Sequence, residues 1–194
     1  MKEKPVVELP SVSQMEKELH RSKYNNQYWR VMRSTIYILI VVAAVAVLVA
    51  TLWLPVLQIY GDSMTPALVE KDIVLTVKSQ DYKQGDIIAF YYNNKILIKR
   101  VIASSGQWVD IELDGTVYVD NKELYEPYVS GKALGDCNIK LPYQVPESRI
   151  FVMGDHRSVS IDSRNTAVGC VAEEQIVGKI IFQIWPLSNI GPLE

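Results

Sequence analysis

From Ser34 to Gly61 the chain carries no charged residue, and residues 35–54 form a run dominated by Ile, Val, Ala and Leu. A helix needs roughly 20 predominantly apolar residues to cross the hydrocarbon core of a bilayer. A buried helix of a soluble protein keeps a polar face, and this run has none. A cleaved secretory leader has a shorter apolar region, about 7–15 residues, close to the N-terminus. The run therefore predicts one transmembrane helix over residues 34–55. It divides the chain into an N-terminal segment, 1–33, and a folded domain, 56–194.

Charge on either side sets the orientation. Lys17, Arg21, Lys23, Arg30 and Arg33 precede the run, with Glu18 as the one acidic residue among them, and the first charge after it is Asp62. Positive flanks stay cytoplasmic, which places residues 1–33 inside and the larger part of the chain outside. Tyr28 and Trp29 on one side, and Trp53 and Tyr60 on the other, suit the aromatic belts of the two interfaces. Residues 13–33 are rich in helix formers and could extend the membrane helix inward, but with Pro5, Pro10 and mixed charge the preferred reading of the segment is a solvated cytoplasmic tail. The net charge of the chain is −2, so nothing points to nucleic acid.

After Tyr60 the pattern changes to short β-branched and aromatic runs: 72–78, 86–92, 95–102, 150–153 and 176–185. Asn93-Asn94 reads as a turn. Val109, Ile111 and Leu113 alternate with polar residues, Asp114-Gly115 signals a hairpin, and Val117 and Val119 resume the alternation. Residues 122–146, with three prolines and two glycines, read as irregular. Strands at this spacing predict a mainly β domain.

Two side chains stand out chemically. Ser63 lies in Gly61-Asp-Ser-Met-Thr-Pro66, nine residues beyond the apolar run. A serine hydroxyl is a weak nucleophile until a base takes its proton. His20 lies on the cytoplasmic side, so His156 is the one histidine that can reach Ser63. A lysine also serves, once burial has made it neutral. Lys99 sits in a predicted strand where Leu97, Lys99 and Val101 share a face, while Lys95 and Arg100 have access to water. Each residue has a plainer reading: Ser63 as a turn residue bonding its own backbone, and Lys99 as an edge-strand charge that discourages aggregation.

A third stretch, residues 152–164, packs Asp155, His156, Arg157, Asp162 and Arg164 among hydroxyls after a short apolar strand. Asp162 and Arg164 can pair, and Ser160 can bond a lysine amine. A metal site of Asp155, His156 and Asp162 is the competing reading, but no second histidine or cysteine stands at ligand spacing.

Together these stretches resemble the type I signal peptidases, the membrane-bound leader peptidases of the S26 serine protease family. Residues 61–66 resemble the family's nucleophile box, 84–90 its Gly-Asp strand, 98–102 its lysine box and 152–164 its C-terminal box. The resemblance spans about residues 30–186. It implies a signal-peptidase-like β-sheet or barrel catalytic domain in the compact, single-span form. It implies Ser63 as nucleophile and Lys99 as general base, with Ser160, Asp162 and Arg164 supporting them. The oxyanion hole would use backbone donors at Ser63 and Gly61. Met64, Leu68, Leu97 and Ile98 would line the substrate pocket, and no cofactor or metal is implied. His156 stands where asparagine is commoner.

The implied substrates are secretory precursors with small residues at −1 and −3, bound as an added strand. The implied setting is the plasma membrane of a bacterium, with the enzyme a monomer in the lipid bilayer. Two other readings use the same residues. One is an idle relative acting as a binding module, against which stands the presence of both Ser63 and Lys99. The other is a self-cleaving repressor, which would need an internal Ala-Gly or Cys-Gly bond, and neither dipeptide occurs. Cys137 and Cys170 both fall outside, where a disulfide is permitted, but spacing alone does not set their distance.

Overall fold

A computed structural model describes residues 11–79 and 81–193, the side chains of 50–53 excepted. The chain falls into two compact units, Met1–Val49 and Ala50–Glu194.

From Val12 on, the first unit is helical, as part of α1 (Val12–Trp53), 42 residues long. At 1.5 Å per residue that is about 63 Å, roughly twice the 30 Å of a bilayer's hydrocarbon core. The expected boundary at residue 33 is therefore no break in structure. The segment read as a solvated tail is helical from Val12, continuous with the apolar run. Pro5 and Pro10 lie outside the described residues. Val12–Val49 contains a stretch long and apolar enough to cross a membrane, none of it buried within the protein.

The second unit holds all the described strands. They are β1 (Val56–Gln58), β2 (Ile73–Val77), β3 (Ile87–Tyr92), β4 (Lys95–Ala103), β5 (Trp108–Ile111) and β6 (Val117–Val119). The remainder are β7 (Lys122–Glu123), β8 (Tyr143–Gln144), β9 (Arg149–Met153), β10 (Val171–Ala172), β11 (Ile176–Trp185) and β12 (Gly191–Pro192). The larger sheet runs β1-β2-β11-β3-β4-β9-β10, with β12 paired to β11, and the smaller runs β7-β6-β5-β8. The mainly β expectation is met, and the long strands fall where the apolar runs lie. The short strands β7 and β8 arise inside the stretch read as irregular. Neither has an apolar run of its own; each is held by ladder bonds to the β5–β6 hairpin.

That hairpin pairs Ile111 with Val117 across Asp114-Gly115. Gly115 has φ +90°, and a Cβ there would stand 2.2 Å from the Ala133 nitrogen, so glycine is required twice over. Val109, Ile111, Val117 and Val119 turn inward and bury against Phe151 and Met153 of β9. This packing ties the smaller sheet to the larger. A second cluster centres on Ile88, Phe90, Val101 and Val152 between β3, β4 and β9. A third gathers Ile59, Met64, Leu68, Val74, Ile87 and Ile180. The third cluster matters most for chemistry, because it draws the Ser63 turn into the core.

Candidate active site

The Ser63 turn belongs to a loop closed at its base. Ile59 N–H donates to the Asp72 carbonyl at 2.8 Å, and Lys71 N–H donates to the Ile59 carbonyl at 2.9 Å. The Asp72 carboxylate accepts from the Val69 N–H at 2.8 Å. Met64 and Leu68, 2% and 0% exposed, anchor the loop from inside. Gly61 at φ +83° turns the chain into Asp62-Ser63. Ser63 is thus fixed by apolar burial beside it and by a hydrogen-bonded neck below it.

Lys99 comes from the middle of β4. The β3–β4 register sets Ile88 opposite Lys99 and Phe90 opposite Leu97, so the ammonium has Leu97, Val101 and Ile88 on its face of the sheet. Lys99 is 3% exposed. Its Nζ lies 2.6 Å from Ser63 Oγ. Burial pulls the amine from the ordinary 10.5 down to about 8; Asp162 and Asp155 pull upward against it, and Arg164 adds to the lowering. A lysine in this state is neutral often enough near neutral pH to accept a proton.

The loop after β9 closes the site from the other side. Asp162 is completely buried and accepts from the Gly154 N–H at 2.9 Å, the Ser160 hydroxyl at 2.7 Å and the Arg164 guanidinium at 2.8 Å. The Ser160 hydroxyl proton therefore goes to Asp162, leaving its oxygen lone pairs open toward other donors. Arg164 also donates to the Leu134 carbonyl at 2.7 Å and the Arg157 carbonyl at 2.9 Å. One guanidinium thus braces the loop after β9 and fastens it to the segment around Leu134. The His156 N–H donates to the Ser63 carbonyl at 3.1 Å, which links this loop directly to the Ser63 turn.

Two further buried ion pairs were not legible in the sequence. Arg100 is a correction: strand alternation turns it from Lys99, but not to water. It is 1% exposed, forks onto Asp155 at 2.9 and 2.7 Å, and stacks on Tyr128 at 3.9 Å. Arg157 forks onto Glu126 and donates to the Gly154 carbonyl at 3.1 Å. Glu126 lies in the stretch read as irregular, with no local signal for its partner. Gly154 was also missed. A Cβ there would fall 2.3 Å from Ser160 Oγ and 2.5 Å from the Ser63 carbonyl, so only glycine lets the two loops meet. The one hint was its place between an apolar strand and a charge-rich loop.

Beside Ser63 lies an open, largely apolar groove of about 740 Å³. Residues 56–61 line it on one flank and residues 94–99 on the other, with Ser63 and Met64 among the lining. Leu97 and Ile98 line it as well, whereas Leu68 is fully buried in the core next to Met64 and does not. Leu57 and Ile59, missed from sequence, do line it. Strand edges border it too. β1 pairs only with β2, and β9 pairs β4 only from Arg100 onward, so on that side residues 95–99 have no ladder partner among the described residues. Cys137 and Cys170, the former half-buried and the latter buried, are free thiols.

Most of the chain's length matches known proteins. The family described as signal peptidase, peptidase S26 matches residues 32–185. A signal peptidase I of Bacillus amyloliquefaciens is 32% identical over 163 residues, covering 78% of this chain and 87% of that protein. A second from the same organism is 30% identical over 179 residues, covering 86% and 90%. Signal peptidase IB of Staphylococcus aureus is 35% identical over 152 residues, covering 68% and 78%. A crystal structure of a signal peptidase I from Enterococcus faecalis V583 aligns with a TM-score of 0.42 and 29% identity over 51% of this chain and 96% of that one. With its one long apolar helix and its β domain, this chain belongs to the signal peptidase family of serine proteases, peptidase S26.

Proposed function

We propose that this protein removes N-terminal signal peptides from secretory precursors by a Ser63/Lys99 dyad, cutting after small residues at −1 and −3. The observation that carries the reading is the 2.6 Å contact between Ser63 Oγ and the buried Lys99 Nζ. The neutral Lys99 amine takes the Ser63 hydroxyl proton as the oxygen attacks the scissile carbonyl carbon. The resulting ammonium returns that proton to the departing amine of the mature protein. An ester to Ser63 remains. Lys99 then takes a proton from water, the hydroxide attacks the ester, and the proton returns to Ser63 as the signal peptide leaves.

The negative charge on the carbonyl oxygen needs donors already in place. The Ser63 N–H makes no hydrogen bond among the described residues, and the positive φ of Gly61 opens the backbone beside it. An extended peptide in the groove gains main-chain hydrogen bonds from a free strand edge. Its −1 and −3 side chains then point the same way, toward the apolar wall of Leu57, Met64 and Ile98. Asp162, with Arg164, holds Ser160 and Gly154 in the loop that meets the Ser63 turn, in a supporting role. The excess of basic residues before the apolar helix supports a cytoplasmic N-terminus and an external β domain, in a monomer at the plasma membrane of a bacterium.

The test is cleavage of a purified precursor with an Ala-x-Ala site by the full chain in detergent, with products mapped by mass spectrometry. The expected result is one cut after the second alanine, absent in Ser63→Ala and Lys99→Ala. Cleavage that survives Ser63→Ala would refute the assignment.

A further inference from the structure

His156 remains without a role after the dyad is assigned. It is half-buried, one residue beyond the Asp155 that holds Arg100, and its main-chain N–H bonds the Ser63 carbonyl. Its ring does not bond Ser63 Oγ. Nδ1 instead lies 3.3 Å from the Asp62 carbonyl oxygen and 3.3 Å from Thr65 Oγ1. These two groups flank the nucleophile on either side in sequence.

The hydrogen positions follow from the partners. A carbonyl oxygen only accepts. The Thr65 hydroxyl donates its one proton to the same Asp62 carbonyl. If Nδ1 were a bare lone pair, it would face the Asp62 oxygen lone pair at 3.3 Å with no hydrogen between. The network therefore assigns the hydrogen to Nδ1, shared between the Asp62 carbonyl and the Thr65 hydroxyl oxygen. That hydrogen is present in both the neutral ring of this tautomer and the imidazolium.

We propose that His156 is a positioning residue for the nucleophile: its Nδ1–H and its main-chain N–H clamp Asp62, Ser63 and Thr65 as one unit, so that Ser63 Oγ stays within reach of Lys99 Nζ. The inference rests on Ser63 being the nucleophile. It deepens that reading by naming what holds the turn on its loop side, opposite the apolar anchors Met64 and Leu68. Histidine serves here as a bridge and takes no proton from the substrate or from Ser63. Its Nδ1 stands one bond from Cγ, the position an asparagine Nδ2 also occupies. An amide at this position supplies the same donor, and a leucine of similar shape supplies none.

The experiment compares His156→Asn, His156→Leu and His156→Asp in the full chain in detergent, on a precursor with an Ala-x-Ala site. Wild type and Ser63→Ala serve as controls. If wild type fails to cut, or Ser63→Ala still cuts, the dyad reading fails and this proposal falls with it. Given a cut that depends on Ser63, His156→Leu should lower kcat about tenfold, the worth of one or two net hydrogen bonds, with KM and the melting midpoint unchanged. His156→Asp, which sets an acceptor against the Asp62 carbonyl, should be at least as slow, and His156→Asn should recover most of the rate. Thr65→Val should also slow kcat, and combining it with His156→Leu should add little. A His156→Leu enzyme at wild-type kcat, or a His156→Asn enzyme as slow as the leucine variant, overturns the proposal. So does a rate loss that merely follows a lowered melting midpoint.

Discussion

Replacing Lys99 by methionine should destroy activity and make the folded protein more stable at neutral pH. Lys99 is 3% exposed, and burial holds its amine near 8 instead of the ordinary 10.5. That difference corresponds to about 3 kcal/mol of cost for keeping the ammonium in the fold. Below pH 8 the folded and unfolded chains both carry the proton, and the folded state bears the full cost. Between about 8 and 10.5 the folded protein releases a proton that the unfolded chain keeps, so stability rises with pH. Above that window both forms are neutral and the cost is gone. Methionine matches the stem of lysine without the charge. It forfeits the 2.6 Å contact with Ser63, worth about 1 kcal/mol net. The expected gain at pH 7 is therefore about 2 kcal/mol, shrinking to nothing, or reversing, by pH 10. Urea denaturation of the full chain in detergent, followed by tryptophan fluorescence at pH 7 and pH 10, measures it. A Lys99→Met protein less stable than wild type at pH 7, or a difference that does not change with pH, would refute the account of Lys99 as a strained, readily neutralised base.

The same shift makes kcat/KM of the wild type rise about tenfold between pH 7 and 9, with a midpoint near 8; a flat profile from 6 to 10 would count against lysine as the base. Gly154→Ala drives a methyl to within 2.3 Å of Ser160 Oγ and 2.5 Å of the Ser63 carbonyl, and the displaced nucleophile should lose about 100-fold in kcat, read in the precursor assay. Glu126→Ala leaves the buried Arg157 guanidinium without its carboxylate and should cost about 3–5 kcal/mol of stability, measured by denaturation at pH 7; a loss below 1 kcal/mol, the range of an exposed pair, would mean the pair is not buried. Cys170, whose thiol burial pushes up to about 11, should resist alkylation in the folded protein, and reducing agent should leave the melting midpoint where it is, because both cysteines are free; a midpoint lowered by reductant would reveal a disulfide.

What the sequence determined by itself was set by local pattern. An apolar run without a polar face marks a helix long and apolar enough to cross a membrane, because a bilayer demands length and composition and little else. Strands β2, β3, β4, β9 and β11 each coincide with a run of β-branched residues, and Asp114-Gly115 places its own hairpin. Ser63 and Lys99 could be singled out because strand alternation predicts which lysine has apolar neighbours. What only the tertiary structure decided depends on partners far apart in the chain. Alternation turned Arg100 away from Lys99, yet which residue would receive it was set by Asp155, 55 residues on. Glu126 and Arg157 stand 31 residues apart, and no spacing rule joins them. Leu68, expected in the pocket, went into the core, since the closed loop of residues 59–72 buries whatever follows Met64 by one helical turn. Strand β1 and the short strands β7 and β8 form only because neighbouring strands offer unpaired backbone groups. Lys99 itself shows the division most clearly. The sequence placed the amine in a strand, but its removal from water, and with it the lowered pKa, is a property of the fold that closes over it.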